Sequence, residues 1–425
     1  MFKFSMLLTY FLLLNLTLSA WSQTAEGDSS ERKLVSSLSL KQALQRVYRD
    51  NPRLWQWRQE QILWESRELQ AGLGFNPELS LVSEDVLGSA AFTSDLFTQF
   101  TLSLAQTLIL GDKRNARVRL IQLQKQLSFW DYKLQLQTLG LEVHQAYIRL
   151  LALQAEQQVL SDMQANAEEV QRLLSRAVAA GKLSPAVLVQ NELALKKISA
   201  ASHYLEVQAQ SERQKLAALW GATEPDFSQI DSGLNLNSER SLSELEQALL
   251  KHPRLARWEL DAEYRQGVLS EAESQAIPDL NLSGGFRYHP PLSWGAVFSM
   301  GMPIPVFNSN QGKIQEARLR QKMWLKERQI EENRLRSQFK QAYTKAQGLS
   351  QWLTLLKQQQ GLAQTQYQLA LKSFQAGKTN ALELLNSSQN LYLFSQQLAE
   401  AQGQSLLARA ELMFYTDDLM PQAKN

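Results

Sequence analysis

The chain is written twice, and that duplication limits what it can fold into. Ser39-Leu40-Lys41-Gln42-Ala43-Leu44 followed by Asn51-Pro52-Arg53-Leu54 opens one half. Leu245-Glu246-Gln247-Ala248-Leu249 followed by His252-Pro253-Arg254-Leu255 opens the other. Pro52 and Pro253 stand 201 residues apart, as do Pro77 and Pro278, while Ala180-Gly181-Lys182 and Ala376-Gly377-Lys378 stand 196 apart. The change of offset places a difference in loop length between Pro77 and Gly181.

Each half reads as the same succession. A helix comes first (Leu40 to Ala71; Glu244 to Ala276), then an extended pair after Pro77 or Pro278. A very long helix follows (Lys113 to Ala180; Gly312 to Ala376), broken by a Gly-Lys turn. A last helix runs from Pro185 to Leu219, or from Asn380 to Phe414. Glycine suits a left-handed helix stop and Pro185 a helix start. Coiled-coil spacing of three and four marks Leu120, Leu123, Leu127, Trp130, Leu134, Leu141, Ile148 and Leu151, with Gln137 and His144 interrupting the seam. Leu335, Phe339, Ala342, Ala346, Leu349, Leu353 and Leu356 repeat the pattern. The returning helices carry Leu188, Leu195, Ile198, Leu205 and Leu216, or Leu384, Leu391, Phe394, Leu398 and Leu412. At ~1.5 Å per residue the long helices measure roughly 100 Å, and an opening helix stacked on a returning helix equals one of them. Each half is then a two-rod unit with a belt where the stacked helices meet, a shape of little use to a globular enzyme.

Composition agrees. Gly (19) and Pro (11) are scarce among 425 residues, as in helix-rich chains. The 44 Lys and Arg nearly balance the 42 Asp and Glu, which argues against a nucleic-acid binder held by a basic field. With no cysteine, disulfides, thiolate metal sites and a catalytic thiol are excluded. Mean hydropathy of −0.32 does not fit a polytopic helical membrane protein.

Residues 1–22 read as a secretory signal peptide: Lys3, an apolar run from Phe4 to Leu18, then Ser19-Ala20-Trp21-Ser22. Ala20 and Ser22 suit cleavage after Ser22, and cleavage after Ala20 or an uncleaved anchor are the alternatives. No later segment has 18 uninterrupted apolar residues, so any membrane crossing must be made by strands. The division is 38–221 and 242–415 as two structural repeats, 222–241 as a linker and 416–425 as a tail.

The strands alternate. Leu280, Leu282, Phe286 and Tyr288 face one way, with Asn281, Ser283, Arg287 and His289 opposite. Ala296, Phe298, Met300 and Met302 alternate with Gly295, Val297, Ser299 and Gly301; Phe100, Leu102, Leu104 and Leu108 alternate with Gln99, Thr101, Ser103 and Thr107. The segment from Glu78 to Gly88 alternates poorly beyond Leu81. Strands of this length with one apolar face fit a lipid-facing barrel with a wet lumen; a soluble sheet packed on the rods is the alternative. Phe286, Tyr288 and Trp294 near hairpin ends fit an interfacial girdle. Four strands cannot close a barrel, and an open edge cannot sit in lipid. Closure needs at least two chains, and the pattern does not choose between a dimer and a trimer.

Together these features resemble the TolC-type outer-membrane efflux family, over nearly the whole span from Leu38 to Tyr415. Within it the chain looks most like the cobalt-zinc-cadmium efflux outer-membrane components. The resemblance is carried by Asn76-Pro77-Glu78-Leu79-Ser80-Leu81, by Leu110-Gly111-Asp112-Lys113-Arg114, and most specifically by Pro303-Ile304-Pro305-Val306-Phe307-Asn308-Ser309-Asn310-Gln311-Gly312. It implies a mainly α fold with a small β part: a homotrimer whose four strands per chain form a 12-stranded outer-membrane β-barrel and whose helices form an α-barrel tunnel across the periplasm. It also implies a periplasmic adaptor (membrane fusion protein), an inner-membrane pump of the resistance-nodulation-division type, outer-membrane lipid around the barrel, and no nucleic acid.

By the same resemblance the tip turns, with Gly181 and Lys182 and with Gly377 and Lys378, meet the adaptor; a plain helix-hairpin turn is the alternative. Glu383 and Asn386 occupy positions where the family often carries acidic residues ringing a closed pore. A three-fold ring of Glu383 would select cations, although a solvated charge near a helix N-terminus accounts for it equally. Asn386 departs from the acidic pattern, and Val187 and Gln190 hold the matching places in the first half. His144, His203, His252 and His289 stand apart, with no ligand pair at helical spacing, and His144 reads as a hydrogen-bonded packing residue. Glu84 and Asp85 sit in the first hairpin, by default a solvated loop. Lys113, Arg114, Arg117 and Arg119 sit at the barrel-to-rod junction, near lipid phosphates or wall polymers, or snorkelling. No nucleophile elbow, Walker loop or nucleotide fingerprint is present, and no cofactor is expected. The expected function is an outer-membrane channel of a tripartite efflux system, passing divalent heavy-metal cations. The alternatives are the same channel serving drug or organic-compound efflux or type I protein secretion, and a soluble periplasmic coiled-coil scaffold.

Overall fold

A computed structural model describes residues 35–84, 99–234, 236, 240–289 and 293–416. The signal peptide, the hairpin residues from Asp85 onward and the tail beyond residue 416 lie outside the described residues. The first half comprises β1 (Val35–Leu38), α1 (Leu40–Asp50), α2 (Pro52–Ala71), β2 (Glu78–Glu84), β3 (Gln99–Leu108), α3 (Lys113–Ala179) and α4 (Ala186–Ala218). After β4 (Phe227–Ile230), the second half comprises α5 (Leu242–Leu250), α6 (Pro253–Ala256), α7 (Trp258–Ser274), β5 (Leu280–His289), β6 (Ser293–Gly301), α8 (Gln311–Gln375) and α9 (Ala381–Tyr415). The two rods, α3 and α8, have 67 and 65 residues, about 100 Å each.

The opening helices are not continuous. The residue before a proline is driven out of the helical region, and Asn51 is extended (φ −62°, ψ 126°) with Pro52 as the first residue of α2. The Asn51 side chain then serves both helices. Its oxygen accepts from the N–H groups of Arg53 (2.8 Å) and Leu54 (3.3 Å), and its amide donates to the Leu219 carbonyl at 2.6 Å. His252 repeats the break before Pro253, its Nδ1 accepting from the Arg254 N–H at 3.3 Å. The ring is wholly buried against Phe414 and Tyr415. Burial, with Arg254 nearby, pushes its pKa down to about 4, so it packs as a neutral group.

The Asn51 bond to Leu219 is where an opening helix meets a returning one. Leu44, Val47 and Leu54 pack there with Leu216 and Trp220 against Leu139, Val143 and Tyr147 of α3. The belt holds something the sequence did not announce. β1 pairs in parallel with β4, Val35 opposite Phe227 and Leu38 opposite Ile230, and β4 lies inside the segment read as a linker. The buried Tyr147 hydroxyl reaches the carbonyls of Leu38 (3.1 Å) and Asp231 (2.8 Å) and ties this small sheet to the rod.

The heptad seams are buried at Leu123, Leu127 and Ile148 of α3 and at Leu335, Phe339, Ala342, Ala346 and Leu356 of α8. α3 also buries Leu139, Val143, Tyr147 and Leu150, because it packs on the first-half helices, on α7 and on α9 at once. His144 lies in this crowded stretch with Nδ1 2.7 Å from the Gly140 carbonyl, a packing role. α9 comes so close to α3 that a Cβ at Gly403 would lie 2.7 Å from the Cβ of Ala152.

Away from the belt, one antiparallel sheet runs β2-β3-β5-β6. Leu79 pairs with Leu104, Leu81 with Leu102, Leu102 with Phe286 and Leu282 with Met300, so the apolar side chains share one face. That face lies open: Leu79 is 71% and Phe298 83% exposed. The other face is polar, with Ser80 bonded to Ser103, Ser283 to Ser299 and Arg287 to Thr101. The sheet does not use the rods as its apolar cover, which removes the packed soluble sheet. No described helix is long and apolar enough to cross a membrane.

Replacing Gly403 with Val tests the α3–α9 approach. Overpacking is expected to cost about 1–3 kcal/mol, read as a lower thermal midpoint of the purified protein with no loss of helical circular dichroism at 20 °C.

Candidate functional site: rod tips and barrel junction

Both tip turns close in one geometry. Gly181 and Gly377 have φ of 68°, a region open to glycine at little cost. In the first turn the Lys182 N–H donates to the Ala177 carbonyl and the Gly181 N–H to the Val178 carbonyl, both at 2.9 Å. In the second, Lys378 donates to Ser373 (2.8 Å) and Gly377 to Phe374 (3.0 Å). This pair of bonds satisfies the last helical carbonyls and lets the chain reverse within six residues in the first turn, 180–185, and five in the second, 376–380. Gly181, Lys182, Gly377 and Lys378 are all exposed. Leu174, Leu183, Phe374 and Ala381 belong to one hydrophobic cluster, so the two turns sit together at the end of the rods remote from the sheet.

Asn380 caps α9, its side chain accepting from the Glu383 N–H at 2.9 Å, and the Thr379 hydroxyl donates to the Glu383 carboxylate. Three residues on, Asn386 continues the same exposed side, while Leu384, Leu385 and Ser387 are buried. Glu383 and Asn386 thus point away from the packed rods. In the first half Gln190 is exposed and Val187 half-buried, so the charge is present once per chain.

At the other end, strand becomes rod through a buried charge. Lys113 is 6% exposed and donates from Nζ to Asp279 at 2.7 Å; the Leu110 N–H donates to the same carboxylate oxygen at 3.1 Å. Partial burial pushes the Asp279 pKa up. The Lys113 and Leu110 hydrogen bonds and the charges of Lys113 and Arg117 outweigh it and hold the carboxyl below its ordinary value. Lys113 therefore locks two strands of one chain together rather than reaching lipid, while Arg114 and Arg119 stay exposed.

One site was invisible in the sequence. Glu156 of α3 and Glu400 of α9 face each other across a groove also lined by Arg149, Glu212 and Lys215. Burial first, then the Glu400 charge, raises the Glu156 pKa. Residues so far apart in the chain carry no mutual signal until the helices are docked. Among the described residues, no three His, Asp or Glu side chains are placed to hold a metal ion.

A model of the outer membrane efflux protein family matches residues 34–222 and 245–416, which takes in both halves. The chain belongs to that family. It is accordingly an outer-membrane efflux channel component of a Gram-negative bacterium, extending into the periplasm, and a conduit rather than an enzyme. The cobalt-zinc-cadmium resistance protein CzcC of Cupriavidus metallidurans is 26% identical over 370 residues, 85% of each chain. Three solved structures show the same fold. CusC has a TM-score of 0.74 at 16% identity, covering 92% of this chain and 95% of that one. VceC of Vibrio cholerae has 0.70 at 16% identity, covering 89% and 95%. The open state of MtrE of Neisseria gonorrhoeae has 0.69 at 15% identity, covering 89% and 88%.

Asp279 gives a pH-dependent test. Its folded pKa is depressed, so its contribution is complete above the ordinary carboxylate value and disappears as pH falls through the folded value. Asp279→Asn, which strands the buried Lys113, is expected to cost about 1–3 kcal/mol at pH 7. The difference in thermal midpoint between wild type and variant should shrink steadily below about pH 4.

Proposed function

We propose that three copies of this chain pool their sheets into one 12-stranded barrel in the outer membrane, continued by an α-helical tunnel across the periplasm, as a passive conduit for divalent heavy-metal cations. The observation that carries the assembly is the open sheet: an exposed apolar face and two strands, β2 and β6, each paired on one side only among the described residues. Backbone groups on such edges cannot be left bare in hydrocarbon, and a ring of identical chains pairs them all. The matched Gly-Lys turns at the far end are docking points for a periplasmic adaptor, which connects the tunnel to an inner-membrane pump of the resistance-nodulation-division type. Three copies of Glu383 form a single carboxylate ring at the tip constriction, with Asn386 as a neutral second layer. The metal substrate is supported by the relative named for cobalt, zinc and cadmium resistance.

A conduit contributes path, charge and width; the pump contributes the energy. A carboxylate ring at a narrow point attracts cations and repels anions, which suits a metal-ion path.

Deleting the gene is expected to raise sensitivity to cobalt, zinc or cadmium and to leave tolerance of organic toxic compounds unchanged. The reverse profile would assign the channel to organic-compound efflux. In planar bilayers Glu383→Gln should lower the preference for cations over anions. Unchanged conductance and selectivity would remove Glu383 from the constriction.

A further inference from the structure

The two halves leave the sheet by unequal routes. Four residues, 109–112, join β3 to α3, whereas nine, 302–310, join β6 to α8. Both routes end in one conformation, for Asp112 (φ 60°) and Asn310 (φ 57°) each precede their rod in the left-handed region, 198 residues apart. The extra length lies before Asn310, and it is apolar. Ile304 is 81%, Val306 73% and Phe307 93% exposed. These side chains are not on a loose tether. Pro303 and Pro305 fix their own φ angles, and the Val306 N–H donates to the Ile304 carbonyl at 2.9 Å. Gln311 Nε2 donates to the Phe307 carbonyl at 3.1 Å and the Asn310 N–H to Asn308 Oδ1 at 3.0 Å. A stiff loop that holds three large apolar groups in the open is built to be covered.

The chain itself shows what covers an exit of this kind. Where β3 leaves the sheet it meets the entrance of its neighbour β5. A Cβ on Gly111 would lie 2.8 Å from the Cβ of Ile277, and Lys113 and the Leu110 N–H both bind Asp279. The exit of β6 is the repeat counterpart of the exit of β3. Asn76-Pro77-Glu78, at the entrance of β2, is the counterpart of Ile277-Pro278-Asp279, 201 residues later. β6 and β2 are the two outer strands of the sheet. Strand direction alternates through the sheet, so a second copy that continues it lays the start of its β2 beside the end of β6. The same exit-to-entrance contact then forms between copies. The polar lock is weaker there, since Gln311 stands in the place of Lys113. Apolar groups are offered on both sides instead: beside the entrance of β2, Leu73 and Phe75 are half exposed or more.

We propose that the Pro303–Phe307 loop of one copy seats on Leu73 and Phe75 of the next, an apolar clasp that fixes neighbouring subunits at the boundary between barrel and rods. The inference rests on the self-association set out above, and the occupant is a second copy of this chain.

The natural chain has no cysteine, so a full-length Phe75→Cys/Phe307→Cys double variant in outer membranes reports the contact directly. Oxidation or a short bismaleimide is expected to give covalent dimers and trimers that neither single variant gives. Because the Phe307 ring is almost wholly exposed within its own chain, Phe307→Ser should leave helical content unchanged while lowering the temperature at which trimers dissociate in detergent. If native mass spectrometry finds wild-type trimers but the pair does not cross-link and Phe307→Ser trimers are as heat-resistant as wild type, the clasp is overturned and the trimer stands. If the wild type gives no trimer, the assembly itself is overturned, and the clasp with it. If Phe307→Trp fluorescence in intact trimers is quenched by brominated phospholipid, the loop faces lipid and the clasp is overturned.

Discussion

Unpaired backbone at the edge of a sheet is the constraint from which the rest of the structure follows. Each chain supplies four antiparallel strands with an exposed apolar face, too few to curl into a barrel of their own. In water such an edge invites aggregation; in hydrocarbon it costs several kcal/mol per bare group. The strands are therefore useful only in company, and the helices have to deliver them at one level and in one orientation. The junctions do this. Left-handed Asp112 and Asn310 turn the chain from strand into rod at equivalent points of the two repeats, and the bridge from Lys113 to Asp279 binds the middle strands of the sheet at their base.

Below the sheet, length is supplied cheaply and position expensively. Two rods of nearly equal size run the height of the molecule, and their seams are the three-four repeats of Leu, Ala and aromatic residues. Precision is concentrated where helices end. Asn51 and His252 each break an opening helix before a proline, cap the following helix and reach the end of a returning helix. The belt sheet and Tyr147 brace one of these meeting points. At the tips, a pair of backbone hydrogen bonds and one left-handed glycine per turn complete the reversal. The conduit is thus a stiff frame whose specific contacts gather at three levels.

Much of this could be read from residue order. The boundaries of the rods and of β3, β5 and β6 fall within a few residues of the alternation and heptad patterns, because those patterns are local: a period of two or of about 3.6 is visible without knowing the neighbours. The Gly-Lys turns were legible for the same reason. The opening helices were read as continuous, although Asn-Pro and His-Pro mark the breaks that the structure shows. There apolar periodicity outweighed a backbone rule. β1 and β4 escaped because each has four residues and they pair across almost two hundred positions. The basic run that includes Lys113 suits lipid phosphates, wall polymers or snorkelling when read locally, because Asp279, the partner of Lys113, is 166 residues away.

What the sequence determined by itself is the repeat, the types of the long repeated elements, the lengths of the rods and the need for more than one chain. Each follows from periodicity, from prolines and glycines, or from counting strands. Tertiary structure alone decided which charges are paired, that the apolar face of the sheet is left uncovered by the rods, that Glu156 meets Glu400, and that the rigid Pro303–Phe307 loop stands beside a free edge. Those facts depend on distances between residues remote in the chain, and no local pattern encodes a distance until the helices have packed.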